Sequence, residues 1–181
     1  MIYIHHNGYH IKLLEASVAD KPVMRSLMQL YQYDTSEFNG QDPDQHAQFD
    51  YPYLDHYWTE QGIKEEGRIA ILIQINDVVA GFALINNFSL VVPRKPTTRS
   101  LAELFIMRKW RRRQIGKTIV KEIFDNFPGH WEIRQERENT SAQLFWRNVI
   151  AEYTGGGYKE TDKNDEEWNG IIQEFDNTAR V

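Results

Sequence analysis

The chain has 181 residues and 41% hydrophobic side chains, with five Trp and nine Phe, enough for one domain over residues 1–181 with its own core. It has no cysteine, which excludes disulfides, thiolate metal sites and a cysteine nucleophile, and fits a cytoplasmic protein. The net charge of −5 argues against a general polyanion binder, but five basic residues crowd into Arg108–Arg113.

The opening residues, MIYIHHNGYHIKLLEA, lack the basic-then-apolar order of a signal peptide. No apolar run reaches the roughly 20 residues that span a bilayer, so the expectation is neither export nor membrane insertion. His10 to Ala16 reads as an edge strand. Val18 to Tyr33 follows as a helix, with Val23, Met24, Leu27, Met28, Leu30 and Tyr31 at helical spacing. From Asp34 to Gly67 the pattern dissolves. Asp34, Glu37, Asp42, Asp44, Asp50, Asp55, Glu60, Glu65 and Glu66 face Lys64 alone, among Phe49, Tyr51, Tyr53, Tyr57 and Trp58. One short helix is expected there, near Tyr53 to Gln61. Such a segment attracts cations.

Arg68 to Ile75 and Val78 to Asn86 are β-branched runs joined by Asn76-Asp77, a hairpin signal. A proline-bearing loop, Val92 to Thr98, leads to a third strand at Ser100 to Ile106. Gly116 to Phe127 aligns Ile119, Val120, Ile123, Phe124 and Phe127 on one helix face, stopped by Pro128-Gly129. His130 to Arg137 alternates as a strand. Asn139 to Tyr153 is helical, with Ala142, Phe145, Trp146, Val149, Ile150 and Tyr153 in one stripe, and Gly155-Gly156-Gly157 ends it. Tyr158 to Lys163 and Trp168 to Phe175 form a last hairpin. The order gives an α/β (α+β) fold: a single mixed, mostly antiparallel sheet of about seven strands flanked by helices.

The segment from Ala102 to Val120 is strand, basic loop, then glycine-opened helix. Free N–H groups and the positive dipole end at a helix start suit phosphate oxygens. Basic side chains before that end are each unfavourable by a few tenths to about 1 kcal/mol, so an anion is implied to offset them. A solvated basic loop is the plain alternative.

Arg111-Arg112-Arg113-Gln114-Ile115-Gly116 resembles the acyl-CoA signature Arg/Gln-x-x-Gly-x-Gly/Ala of the Gcn5-related N-acetyltransferase (GNAT) family, with Gln114 in place of the first glycine. Asn139-x-x-Ala142-x-x-Phe145-Trp146 is similar to that family's Asn-x-x-Ala-x-x-Leu-Tyr, and the element order agrees from about His10 to Phe175. The resemblance implies an acyl-CoA N-acyltransferase fold with central strands splayed around the pantetheine of acetyl-CoA. Phe105, Ile106 and Met107 would pair with the pantetheine, Arg111, Arg112, Arg113, Gln114, Ile115, Gly116 and Lys117 would hold the pyrophosphate, and Asn139 would touch the pantetheine as well as cap its helix. Phe145 and Trp146 complete the implied cofactor set.

The acceptor is expected to be a small-molecule or peptide amine, cationic, entering over Asp34 to Trp58. A lysine-like amine, with a pKa of about 10.4 in water, must lose a proton before attack. Glu103 is the candidate base, with an exposed strand carboxylate as its plain reading. The N–H of Ile106 or Met107 would face the oxyanion if the strand bulges. Trp146 occupies the place of the family's acidic tyrosine, so Tyr153 or Tyr158 substitutes, or water protonates the thiolate, or acid catalysis is dispensable. No metal is expected, because His5, His6, His46 and His56 lack ligand spacing. A P-loop hydrolase is excluded by the missing Gly-x-x-x-x-Gly-Lys-Ser/Thr. A nucleic-acid module is disfavoured by the acidic balance, and a non-catalytic acyl-CoA-binding regulator is the third rival. A homodimer is the default assembly.

Overall fold

The computed structural model describes residues 1–180. It opens with a hairpin of which only the second strand is expected from the sequence: β1 (Ile2–His6) pairs antiparallel with β2 (Tyr9–Glu15) across Asn7-Gly8. Both turn residues are left-handed, φ 48° and 79°, as a two-residue hairpin turn of the right twist requires. Helix α1 (Lys21–Asn39) places Pro22 in its first turn, runs to Asn39, six residues beyond the expected Tyr33, and is capped by Gly40 at φ 66°. A 3-10 turn, Leu54–Trp58, leads into the short α2 (Glu60–Lys64), whose N–H of Gly62 is capped by Thr59.

The remaining elements follow the expected order: β3 (Ile69–Ile75), β4 (Val78–Asn86), β5 (Thr98–Ile106), α3 (Ile115–Asn126), β6 (His130–Glu136), α4 (Thr140–Thr154), β7 (Lys159–Asn164) and β8 (Asn169–Asp176). They make one open eight-stranded sheet in the order β1-β2-β3-β4-β5-β6-β8-β7. The strand count therefore exceeds the expected seven by β1. The β5–β6 ladder is parallel, and the ladders of β1–β2, β2–β3, β3–β4, β6–β8 and β7–β8 are antiparallel.

Two compact units divide the chain: residues 1–85 with 103–107, and residues 86–102 with 108–181. The first has its core where Met24, Leu27 and Met28 of α1 meet Leu72, Phe82, Leu84 and Phe105. Burying each such side chain contributes about 1.5–3 kcal/mol. Gly81 of β4 is required there, because a Cβ would lie 2.0 Å from the Phe105 carbonyl oxygen.

The second unit packs α3 and α4 on the sheet through Phe124, whose ring lies 4.8 Å from Trp131, 5.1 Å from Tyr153 and 4.9 Å from Phe175. Its parallel ladder covers Thr98↔His130, Arg99↔Trp131 and Ser100↔Glu132. Among the described residues the ladder ends there, while β6 stays paired with β8 as far as Glu136. No helix among the described residues is long and apolar enough to cross a membrane.

Candidate functional site

Between β5 and α3 run Met107, a 3-10 turn, Arg108–Trp110, and the four residues from Arg111 to Gln114. Trp110 is buried and anchors the turn, whereas Arg111, Arg112, Arg113 and Gln114 are exposed. Arg112 and Gln114 both adopt left-handed backbone, φ 58° and 64°. Left-handed residues two apart turn successive N–H groups toward one side, the backbone form of an anion-binding concavity. Gln114 stands where the signature carries glycine, and its positive φ gives the physical reason for a glycine there.

Helix α3 begins at Ile115 with no side-chain cap and no acidic residue in its first turn. Its first internal bond runs from Thr118 N–H to Gln114 O at 3.1 Å. The amides of Ile115, Gly116 and Lys117 precede that ladder and point out of the helix start. Two sources of positive potential coincide here: the dipole and the arginine side chains.

Lys117 departs from its expected role. Its ammonium pairs with Glu152 of α4, which Lys121 also reaches at 2.5 Å, so only the backbone N–H of Lys117 belongs to the turn. Asn139 caps α4, its Oδ1 accepting from Ala142 N–H at 3.0 Å. Phe145 and Trp146 stack edge to face at 5.1 Å, with Trp146 buried. Tyr153 does not present an acid: it is buried among Phe124 and Phe175, and its hydroxyl donates to Asp125 at 2.7 Å and accepts from Asn177 at 3.2 Å.

In the first unit, Glu103 is half-buried near the end of β5 and accepts hydrogen bonds from two phenols, Tyr31 of α1 and Tyr51, the latter at 3.0 Å. Burial, with the Glu103 charge beside it, pushes the Tyr51 phenol far above its ordinary value, so it remains a donor. Tyr31 is fixed by edge contacts with Phe82 and Phe105. Glu103 is expected from the sequence as a candidate base, whereas neither phenol is expected as its partner. Tyr31 is hidden in the helix stripe and Tyr51 in the acidic segment, and neither spacing predicts a meeting with β5.

Met107 N–H donates to Ala80 O at 2.8 Å, and the Phe105 carbonyl faces Gly81. Both backbones are thus directed at β4, which removes Met107 as an oxyanion donor and both residues as backbone partners of an inserted arm. Strand alternation directs Ile106 to the opposite edge.

The acidic segment is partly neutralised from outside itself. Arg25 reaches Asp55 at 2.9 Å, Lys21 reaches it at 3.7 Å, and Arg68 pairs with Glu66 and lies 5.0 Å over the Tyr57 ring. A cleft of about 420 Å³ remains, lined by Gln29, Phe49, Asp50, Tyr51, Leu54 and Asp55 among others. Gln29 holds its wall by two hydrogen bonds to the Phe49 backbone, its Nε2 donating to the carbonyl at 2.9 Å and its Oε1 accepting from the N–H at 2.7 Å.

A family model described as the Acetyltransferase (GNAT) family matches residues 27–149. No curated protein matches. Among solved structures, an aminoglycoside acetyltransferase, AAC(6')-Ib, in complex with coenzyme A is 11% identical with a TM-score of 0.63, covering 93% of this chain and 96% of that one. An acetyltransferase from Thermus thermophilus is 13% identical at a TM-score of 0.61, covering 91% and 94%. The PaiA N-acetyltransferase from Thermoplasma acidophilum, in complex with coenzyme A, is 12% identical at 0.55, covering 92% and 99%. At these identities the likeness is one of fold.

Proposed function

The chain belongs to the GNAT acetyltransferase family, and from that premise we propose that it is an N-acetyltransferase taking its acetyl group from acetyl-CoA. The observation that carries the proposal is the turn before α3, where left-handed Arg112 and Gln114 precede an uncapped helix start. The pyrophosphate sits on the amides of Ile115, Gly116 and Lys117, with Arg111, Arg112 and Arg113 supplying counter-charge. These residues suit a diphosphate, since the site offers main-chain donors without a competing carboxylate in the first turn. Asn139, Phe145 and Trp146 border the pantetheine.

The acceptor amine attacks the thioester carbonyl directly in a ternary complex. Its nitrogen forms the new bond to carbon, its proton passes to Glu103, directly or through water, and the carbon–sulfur bond breaks to release the thiolate. Tyr31 and Tyr51 hold the Glu103 carboxylate in one orientation. With Tyr153 engaged by Asp125, the thiolate takes its proton from solvent or from Tyr158. The amine enters through the cleft beside Tyr51, where Asp50 and the aromatic rings favour a cationic acceptor. A structural neighbour was solved with coenzyme A and kanamycin, an amine-bearing molecule, which supports this class of acceptor.

The test is a thermal-shift titration with acetyl-CoA followed by free-thiol release against polyamines, aminoglycosides, amino acids and peptide termini. Stabilisation with amine-dependent thiol release is expected. Stabilisation without release from any amine would favour a non-catalytic acyl-CoA sensor, and no stabilisation would remove the acyl-CoA reading.

A further inference from the structure

The sheet has two edge strands, β1 and β7, and their sequences differ in kind. β7 carries Lys159, Glu160, Asp162 and Lys163, charges that oppose pairing with a further strand, and Arg137 and Arg147 reach Asp162 and Glu160 beside it. β1 carries no Lys, Arg, Asp, Glu or Pro. The nearby ammonium of Lys12 is paired with Asp77. An edge strand without charged guards is a template for one more strand.

The register shows which backbone groups that template offers. Antiparallel pairs alternate between those that exchange N–H···O bonds and those that do not. Asn76 fixes the alternation: its N–H donates to His10 O at 2.8 Å, and its Oδ1 accepts from His10 N–H at 2.9 Å. Both His10 groups are thereby turned away from β1, so His5↔His10 is a pair without ladder bonds, and Tyr3↔Lys12, two residues along, is another. The N–H and C=O of Tyr3 and His5 therefore point out of the sheet edge, while those of Ile4 point into the hairpin. Side chains leave that edge accessible. Tyr3 is 64% exposed, His5 is exposed with its ring edge-on to His10 at 4.6 Å, and Ile4 is buried on the opposite face.

We infer that β1 is a self-association edge, where a second copy of this chain adds its own β1 antiparallel about a two-fold axis at Ile4. Outward groups one residue to either side of Ile4 make the strand complementary to itself. Tyr3 of one copy exchanges both backbone bonds with His5 of the other, and His5 of the first does the same with Tyr3 of the second. Ile4 then faces Ile4 in the closely spaced pair between them. A second copy meets each requirement at once: it places an aromatic ring opposite each of Tyr3 and His5, and it brings no charge to the edge. The contact is short, so the dimer is one of the weak, reversible class.

The test follows sedimentation velocity and amide hydrogen exchange of the full chain up to about 1 mM. The sedimenting species should rise from one copy to two with concentration. Over the same range the amides of Tyr3 and His5 should slow, while that of Ile4, already bonded to β2, should not change. Tyr3→Pro removes one outward donor per copy at an edge position where proline is tolerated, and should weaken the dimer about tenfold or more. His5→Lys keeps every backbone group, places a charge on the edge and should weaken it too, which decides the matter should the proline variant fold poorly. Wild type that stays monomeric throughout, dimers that form equally well in the folded variants, exchange at Tyr3 and His5 that ignores concentration, or assemblies that grow beyond two copies would each overturn the inference.

Discussion

Replacing Gly116 by proline isolates one amide of the turn before α3. Gly116 is the second residue of that helix, ahead of the first ladder bond at Thr118, so its N–H takes no part in helix hydrogen bonding. Proline is compatible with a first turn, and this chain already carries Pro22 as the second residue of α1. The fold should therefore survive, with the melting point changed by no more than a few degrees. What is lost is one charge-assisted hydrogen bond to a phosphate oxygen, about 1.5–3 kcal/mol. At 1.4 kcal/mol per decade, that is a loss of roughly 10- to 100-fold in affinity. Calorimetric titration of acetyl-CoA at fixed ionic strength reads it directly. A variant that melts like wild type and binds acetyl-CoA just as tightly would refute the placement of the diphosphate at α3.

Glu103→Gln should lower kcat/KM by about 10²–10⁴ near neutral pH and move the pH–rate profile upward, since the amine must then lose its proton to solvent; a profile that stays in place removes Glu103 as the proton acceptor. Gln114→Val puts a β-branched side chain at φ 64° and should lower the melting point, whereas Gln114→Gly should hold or raise it, the relief of about 1 kcal/mol being offset by unfolded-chain entropy. Equal melting of the two variants would contradict the left-handed turn. The Arg147 guanidinium, bonded to Glu160 at 2.8–3.0 Å, holds that carboxyl below its ordinary value near 4.5, with Gln173 assisting. A depressed folded value means stabilisation present above that pH and lost as pH falls through it. Arg147→Met should therefore flatten the fall of melting temperature between about pH 5.5 and 3.5, and an unchanged acid limb would count against the pair.

Where hydrophobic spacing is strong, the sequence suffices. The stripe from Ile119 to Phe124 and the run from Ala142 to Tyr153 fold as α3 and α4 within a residue or so of their expected ends. Weaker local signals account for the misses. Asn7-Gly8 is as plain a hairpin signal as Asn76-Asp77, yet His5 and His6 interrupt the apolar alternation ahead of it and so conceal β1. The stop of α1 is Gly40, not the change of composition at Asp34, because acidic residues do not end a helix whose next turn still buries part of Phe38. The basic turn is legible as an anion site from composition, while its conformation is not, since Arg112 and Gln114 carry no glycine to announce positive φ. The meeting of Tyr31, Tyr51 and Glu103 joins residues from a helix, a loop and a strand, and no local pattern encodes it.

Strand β5 belongs to both units: residues through 102 to the second, and Glu103 to Ile106, with Met107 after it, to the first. A nascent chain emerging from the ribosome therefore cannot finish its first half by making residues 1–85 alone. It must wait through a stretch that belongs elsewhere before Glu103 arrives to receive the two phenols. No single cleavage liberates either half intact, and a truncation ending at Ile85 would leave Gly81 without the strand segment whose close approach it permits.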